Sequence, residues 1–168
     1  YQPALAAKLL AEAGYPNGKG MPEVMLSTST TYKDLIEFIQ AELNTLGIKV
    51  KVDVSPSASL RDLMAKNEVN FFRGSWIADY PDGENYLSVF YSKNKVPFGP
   101  NYTGYFNKEF DKLFEQSYFE NDAKKRYELY YKMDNMVMEH ASIVPILYDQ
   151  SVTMLQNNIS GYPINALS

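Results

Sequence analysis

The sequence predicts an α/β fold, and three observations lead there. Ile48-Lys49-Val50-Lys51-Val52-Asp53-Val54 alternates strictly, apolar against polar, as a half-exposed strand does. Leu35, Ile39, Leu43 and Leu46 recur at helical spacing just before it, and Gly47 ends that run. Glu23 to Thr30 alternates and is β-branched at its end, which reads as an earlier strand. Strand, helix, strand with short connections is a βαβ unit, with parallel strands and a right-handed crossover.

The other elements follow in order. Pro3 sits at a first helical position, and Leu5, Leu9, Leu10 and Ala13 line the helix that Gly14 stops; Pro16 and Gly18 then make a turn. Thr30 or Thr31 is expected to cap the helix of the βαβ unit. Ser57 or Ser59 opens the next helix, which carries Leu60, Leu63 and Met64. Val69 to Ile77 is expected as the following strand. Residues 92–106, rich in Asn, Pro, Gly and Tyr, read as an ordered surface loop. A helix from about Lys108 to Phe119 turns Phe110, Leu113, Phe114 and Ser117 inward. A second, from about Ala123 to His140, turns Tyr127, Tyr130, Met133 or Asp134, and Val137 inward. Ile143–Tyr148 and Ser151–Leu155 are expected as strands, and the tail from Gln156 has little periodicity.

At 168 residues the chain is one domain, or one domain with a short appendage. A net charge of −4 and the lack of a basic stripe argue against nucleic acid as a partner. No apolar run approaches 18 residues, the length a spanning helix needs. With no cysteine, disulfides, thiolate metal sites and a cysteine nucleophile are excluded. No cofactor is expected. Fourteen tyrosines and nine phenylalanines fit either a tyrosine-rich core and surface or an aromatic-lined cleft.

Gly74-Ser75-Trp76-Ile77-Ala78-Asp79-Tyr80-Pro81-Asp82-Gly83-Glu84-Asn85-Tyr86-Leu87 is the most specific stretch. An apolar run ends in the only tryptophan, and an acidic, aromatic turn follows. A strand ending so presents a carboxylate and a large aromatic face at its exit, where ligands of α/β sheets gather. That pair suits a ligand with a positive charge and an apolar body. Asp79 can accept charge-assisted hydrogen bonds from an ammonium group, or simply bond its own backbone in the turn. Trp76 can pack a ligand side chain or lie in the core. Arg73 stands three residues before it and can equally pair with a neighbouring acid.

Enzymatic readings find little support. His140 is the only histidine, it follows Glu139 at a helix end, and no G-x-S-x-G motif is present. Asp79, Asp82 and Glu84 do not fit a twelve-residue Ca²⁺ loop. No metal site and no catalytic residue is assigned.

The stretch around Trp76 resembles the W-x-A-D-Y-x-D/E-P segment of the dipeptide- and oligopeptide-binding proteins of ABC importers, the family 5 solute-binding proteins. Residues 1–18 resemble that family's helix closed by A-G-Y/F-x-x-G. Tyr105-Phe106-Asn107-Lys108-Glu109-Phe110-Asp111-Lys112-Leu113 resembles its Y-x-N-x-x-F/Y-D-x-L. Arg126 to Tyr130, Ile143 to Tyr148 and Gly161-Tyr162 resemble later elements, in the right order. The resemblance implies the C-terminal lobe of a two-lobed periplasmic-binding-protein fold, with a mixed sheet and flanking helices. It implies that residues 1–149 are the ligand-binding lobe and 150–168 a crossover returning toward another lobe, and the chain is expected to be part of a longer protein.

By the same resemblance, Asp79 holds the α-amino group of a bound peptide and Trp76 packs against it. The backbones of Ser75 and Ile77 pair with the peptide as an added strand. Arg73 meets its carboxylate, and Tyr80 completes the Asp-Tyr pair that favours peptides over heme or metal complexes. The implied function is capture of short peptides without chemistry, outside the bacterial cytoplasm in the periplasm or at the cell surface. The implied partners are ABC permease subunits, and any membrane association runs through the transporter or a lipid anchor. The alternatives are a relative that binds a sugar, an opine or a metal chelate, and an acidic-site hydrolase.

Overall fold

Val24–Ser29 (β1) and Val50–Ser55 (β2) lie side by side as a parallel pair, in register from Val24 opposite Val50 to Ser29 opposite Ser55. The helix Lys33–Thr45 (α2) links them and completes the expected βαβ unit. The computed structural model describes residues 1–148 and 152–162. The chain divides into two units, Tyr1–Ser75 and Trp76–Ser168.

In the first unit, Leu26, Ile36 and Val50 are buried together, with Ile39, Leu43, Ile48 and Val52 packed against them. Ile36 is the deepest residue of α2, one position beyond the Leu35 that periodicity placed inward. Gln40 Nε2 donates to the Val50 carbonyl at 2.7 Å and ties helix to strand. Pro3–Glu12 (α1) forms as expected, but none of its residues is buried. Ser57–Ala65 (α3) buries Leu60 and Met64.

α3 opens at Ser57, as expected, directly behind Pro56. The expected threonine cap of α2 is not made: Thr30–Tyr32 form a tight 3-10 turn before it, and no side chain caps its start. A cap requires extended backbone with the side chain turned back on the first turn, and the threonines are already wound into helical turn here.

Two glycines meet where the α1 turn crosses the end of α2. A Cβ on Gly47 would sit 2.0 Å from the Asn17 carbonyl oxygen, and one on Gly18 would sit 1.9 Å from the Gly47 oxygen. Gly47 also has φ near +83°, which favours glycine. Gly47→Ala is therefore expected to destabilise the first unit by more than about 1 kcal/mol. A lower urea midpoint for its unfolding transition checks this.

In the second unit, Glu84–Leu87 (α4) is a single turn, followed by Lys108–Ser117 (α5) and Ala123–His140 (α6). Asn107 caps α5 by accepting from the N–H groups of Glu109 and Phe110, and Asp122 caps α6 by accepting from Lys125. Ala141 closes α6 in the left-handed conformation. The core gathers Leu87, Phe90, Tyr105, Phe110, Phe114, Leu129, Tyr130, Met133 and Val137. The loop before α5 is ordered around buried Asn101, whose Nδ2 donates to the carbonyls of Tyr91 and Tyr105 at 3.2 and 3.0 Å.

Four sequence expectations are corrected. Tyr127 does not face inward: it is 61% exposed, because the buried stripe of α6 runs through Leu129, Tyr130, Met133 and Val137. Val69–Ile77 is not a strand. Among the described residues its only ladder contact is a one-residue parallel bridge, with Ser27 N–H donating to Phe71 O and Arg73 N–H donating to Ser27 O. Beyond that bridge Gly74 has no side chain to pack against a sheet, and Ala78 is buried within the second unit. Ile143–Tyr148 and Val152–Leu155 are not strands either. Val144, Ile146, Leu147 and Tyr148 are exposed, and the only sheet among the described residues is the β1–β2 pair. Alternation makes a strand only where an edge is available to receive it. Ser151 and the expected boundary at 149–150 lie outside the described residues.

Candidate functional site

Asn85, in the single turn of α4, organises the segment that carries Trp76 and Asp79. The residue is 4% exposed. Asn85 Oδ1 accepts from Trp76 Nε1 at 2.8 Å and from the Asp79 backbone N–H at 3.2 Å. Both donors can only donate, which fixes the amide so that Nδ2 points to Asp79 Oδ2, 3.4 Å away. Trp76 is thereby half-buried, with its N–H satisfied, and Asp79 sits exposed beside it in an irregular stretch. The expected delivery of both residues by a strand end is not what positions them; a side chain six to nine residues further on does so.

The three acids of the turn have different partners. Asp82 accepts from the Glu84 N–H at 3.0 Å and pairs with Arg126 Nη2 at 3.2 Å. Glu84 is buried and accepts from the hydroxyls of Tyr80 and Tyr118, the latter at 2.8 Å. Asp79 alone of the three is exposed, and among the described residues its carboxylate receives only the long Asn85 contact. It is the carboxylate with acceptor capacity left for a ligand.

Charge and burial shape the titration of this cluster. Burial, joined by the nearby Glu84 carboxylate, pushes the Tyr118 hydroxyl well above the ordinary phenol range. Burial, joined by Asp82, does the same to Tyr130. The Glu84 hydrogen bond raises Tyr80. Burial alone would raise Asp82, but the Glu84 N–H, the Tyr130 hydroxyl and the Arg126 guanidinium together outweigh it, so the folded carboxyl lies below its usual value. Stability from such a group is complete above about pH 4, the ordinary carboxylate pKa, and is lost as pH falls through the lower folded value. Asp82→Asn is expected to flatten the loss of stability below about pH 4. Thermal unfolding of parent and variant from neutral pH to pH 2.5 checks this, on the order of the range over which a carboxylate titrates.

The other predicted site residues fall into two groups. Ile77 is 75% exposed, and Tyr80 is exposed with its hydroxyl committed to Glu84. Arg73 and Ser75 close the first unit. There the Arg73 guanidinium lies over the Tyr32 ring, 3.2 Å from its centroid, and Nη1 donates to Ser75 Oγ at 3.2 Å. Arg73 is thus not in an ion pair among the described residues but stacked on an aromatic face. Among the described residues, no backbone-to-backbone hydrogen bond engages Ser75, Trp76 or Ile77.

The sequence reading assigned no role to Asn85, Glu84 or Tyr32. Asparagine carries its acceptor and its donor on separate atoms of one short side chain, yet no spacing rule aims it at Trp76. His140 Nδ1 lies 2.6 Å from Ser142 Oγ, and Tyr105 meets the imidazole edge-on. Among the described residues no carboxylate bonds that ring, so the acid of a triad is missing. A depression of about 750 Å³ lies elsewhere, along one face of α6 between Tyr127 and Tyr131, and carries none of the candidate residues.

Residues 1–98 match the family described as bacterial extracellular solute-binding proteins, family 5 middle. The chain is 31% identical over 161 residues to the dipeptide-binding protein DppE of Bacillus subtilis (strain 168), covering 92% of this chain and 29% of that relative. It is similar to the solved structure of Haemophilus influenzae OppA in complex with RPPGFSPFR. That match has a TM-score of 0.76 and 27% identity, over 86% of this chain and 28% of the other. It is also similar to the periplasmic binding protein DppA of Helicobacter pylori in complex with the peptide STSA. There the TM-score is 0.73 with 28% identity, over 82% of this chain and 27% of the other. The chain therefore spans less than a third of the length of each of these proteins.

Proposed function

Since the chain belongs to the bacterial extracellular solute-binding proteins of family 5, we propose that it supplies one wall of a two-lobed protein that captures short peptides for an ABC importer. One observation carries this reading: an exposed carboxylate, Asp79, stands beside a half-buried indole, Trp76, in a stretch whose backbone is not engaged in a ladder. Asp79 receives the peptide's ammonium group, Trp76 packs its first side chain, and the backbones of Ser75 and Ile77 pair with it as an added strand. Main-chain pairing of this kind accepts many sequences. Arg73, pre-oriented on Tyr32, takes the peptide's carboxylate. Tyr80, its hydroxyl held by Glu84, offers its exposed ring to the ligand.

Residues 1–149 form the ligand-binding part in this reading and 150–168 lead back toward a second lobe, which closes over the peptide as a hinge. The protein works by binding without chemistry, in the periplasm or at the cell surface. Permease subunits are its partners, and a lipid anchor or the transporter holds it at the membrane. None of the helices among the described residues is long and apolar enough to cross a membrane. Titration calorimetry of the two-lobed protein with a tripeptide and its N-acetylated form tests the reading. Tighter binding of the free-amino form supports it. Equal binding removes Asp79 from amino-group recognition.

A further inference from the structure

Resting on that reading, we infer that Asn85 is a positioning residue for the peptide amino group, joining the Trp76 ring and the Asp79 carboxylate into one fixed unit. Three bonds carry the inference, and each constrains a different atom. The 2.8 Å bond to Trp76 Nε1 fixes the plane and tilt of the indole. The 3.2 Å bond to the Asp79 N–H fixes the backbone from which the carboxylate projects. The contact from Nδ2 to Asp79 Oδ2 sets which oxygen faces inward and leaves Oδ1 to the ligand. The donor-only chemistry of the indole and the peptide N–H dictates the amide orientation, so the three contacts form one arrangement.

Asn85 is itself held firmly. It is buried, its N–H donates to the Asp82 carbonyl at 3.2 Å, and its own carbonyl accepts from Ser88 Oγ at 2.7 Å. Asp82 is in turn fixed by Arg126. The chain of support runs from α6 through Asp82 to Asn85 and ends at the two ligand-facing groups. An ammonium and an adjacent side chain on one ligand thus meet a carboxylate and a ring whose separation is set before binding, which reduces the ordering cost of association.

Trp76 is the only tryptophan, so its emission reports the arrangement without any ligand. Asn85→Ala is expected to speed indole depolarisation and shift emission to the red while helical circular dichroism is retained. In the two-lobed protein it should lower the preference for a free-amino over an N-acetylated tripeptide about tenfold, as loss of a hydrogen bond to a charged group does. Should Asn85→Ala not fold, exchange of the Trp76 indole N–H in the parent serves instead: slow exchange supports the bond, and exchange at the rate of free indole overturns it. Unchanged emission in Asn85→Ala overturns the inference. So does changed emission with peptide preference intact, because Asn85 would then only stabilise the turn. A parent protein with no free-amino preference would sink the Asp79 reading and the positioning role together, while the indole signal would still establish the bond.

Discussion

Asp79→Asn is expected to weaken binding of free-amino peptides by about 2–5 kcal/mol, thirtyfold or more, and to leave N-acetylated peptides nearly unaffected. Closure of two lobes takes the ammonium out of water. Without the carboxylate, that charge is stranded in a medium that does not solvate it, and most of the loss comes from this stranding rather than from one missing bond. Asparagine keeps the shape of aspartate and one acceptor, so the Asn85 contacts to Trp76 and the Asp79 N–H survive. An acetylated peptide brings no ammonium and should notice little. Calorimetry on both ligands, parent against variant, checks this. Equal losses would make Asp79 a turn-forming residue alone.

Phe110→Ala is expected to destabilise the second unit by about 3–5 kcal/mol. Phe110 is 0% exposed and lies in the aromatic centre of the core, edge-on to Tyr105 at 5.3 Å between ring centroids and stacked with Phe114 at 6.2 Å. Truncation removes a full ring's burial and leaves a cavity that α5 and α6 close only in part. Domain stability is typically about 5–15 kcal/mol in total, so the loss is a large fraction of it. Phe98 is 93% exposed, and Phe98→Ala should change stability by no more than about 0.5 kcal/mol. Urea unfolding followed by circular dichroism separates the two variants, and a Phe110→Ala midpoint close to that of Phe98→Ala would contradict the packing described.

The sequence read well wherever local periodicity and burial agree. The βαβ unit, the two long helices and the inward Phe110, Phe114 and Ser117 follow from spacing that tertiary packing then rewards. It misled where an element needs a partner that spacing cannot supply. Val69–Ile77 carries apolar, aromatic residues suited to a strand, yet it meets β1 only in the single bridge of Phe72 with Ser27, made by Phe71 O and Arg73 N–H, and the residues after Arg73 leave the sheet. Ile143–Tyr148 has strand composition, but only Ile143 packs against the core; Val144, Ile146, Leu147 and Tyr148 lie exposed, with no edge beside them among the described residues. Tyr127 lies about a third of a helical turn off the buried stripe, close enough for periodicity alone to admit it.

The site was legible in its outer members and hidden in its supports. Asp79 and Trp76 stood out because a carboxylate and the only indole are three residues apart. Asn85 did not, because its role depends on how the chain between Asp79 and α4 folds back, not on its distance along the sequence. Glu84 read as one more acid of the turn until burial and two tyrosine hydroxyls set it apart from Asp79.

Native mass spectrometry of the two-lobed protein that carries this chain, purified without denaturation, tests peptide capture most directly. The expected result is a set of bound masses that release as short peptides of varied sequence with unblocked amino termini. A single sugar, opine or metal chelate in their place, or peptides with blocked amino termini only, would contradict recognition of a peptide amino group at Asp79.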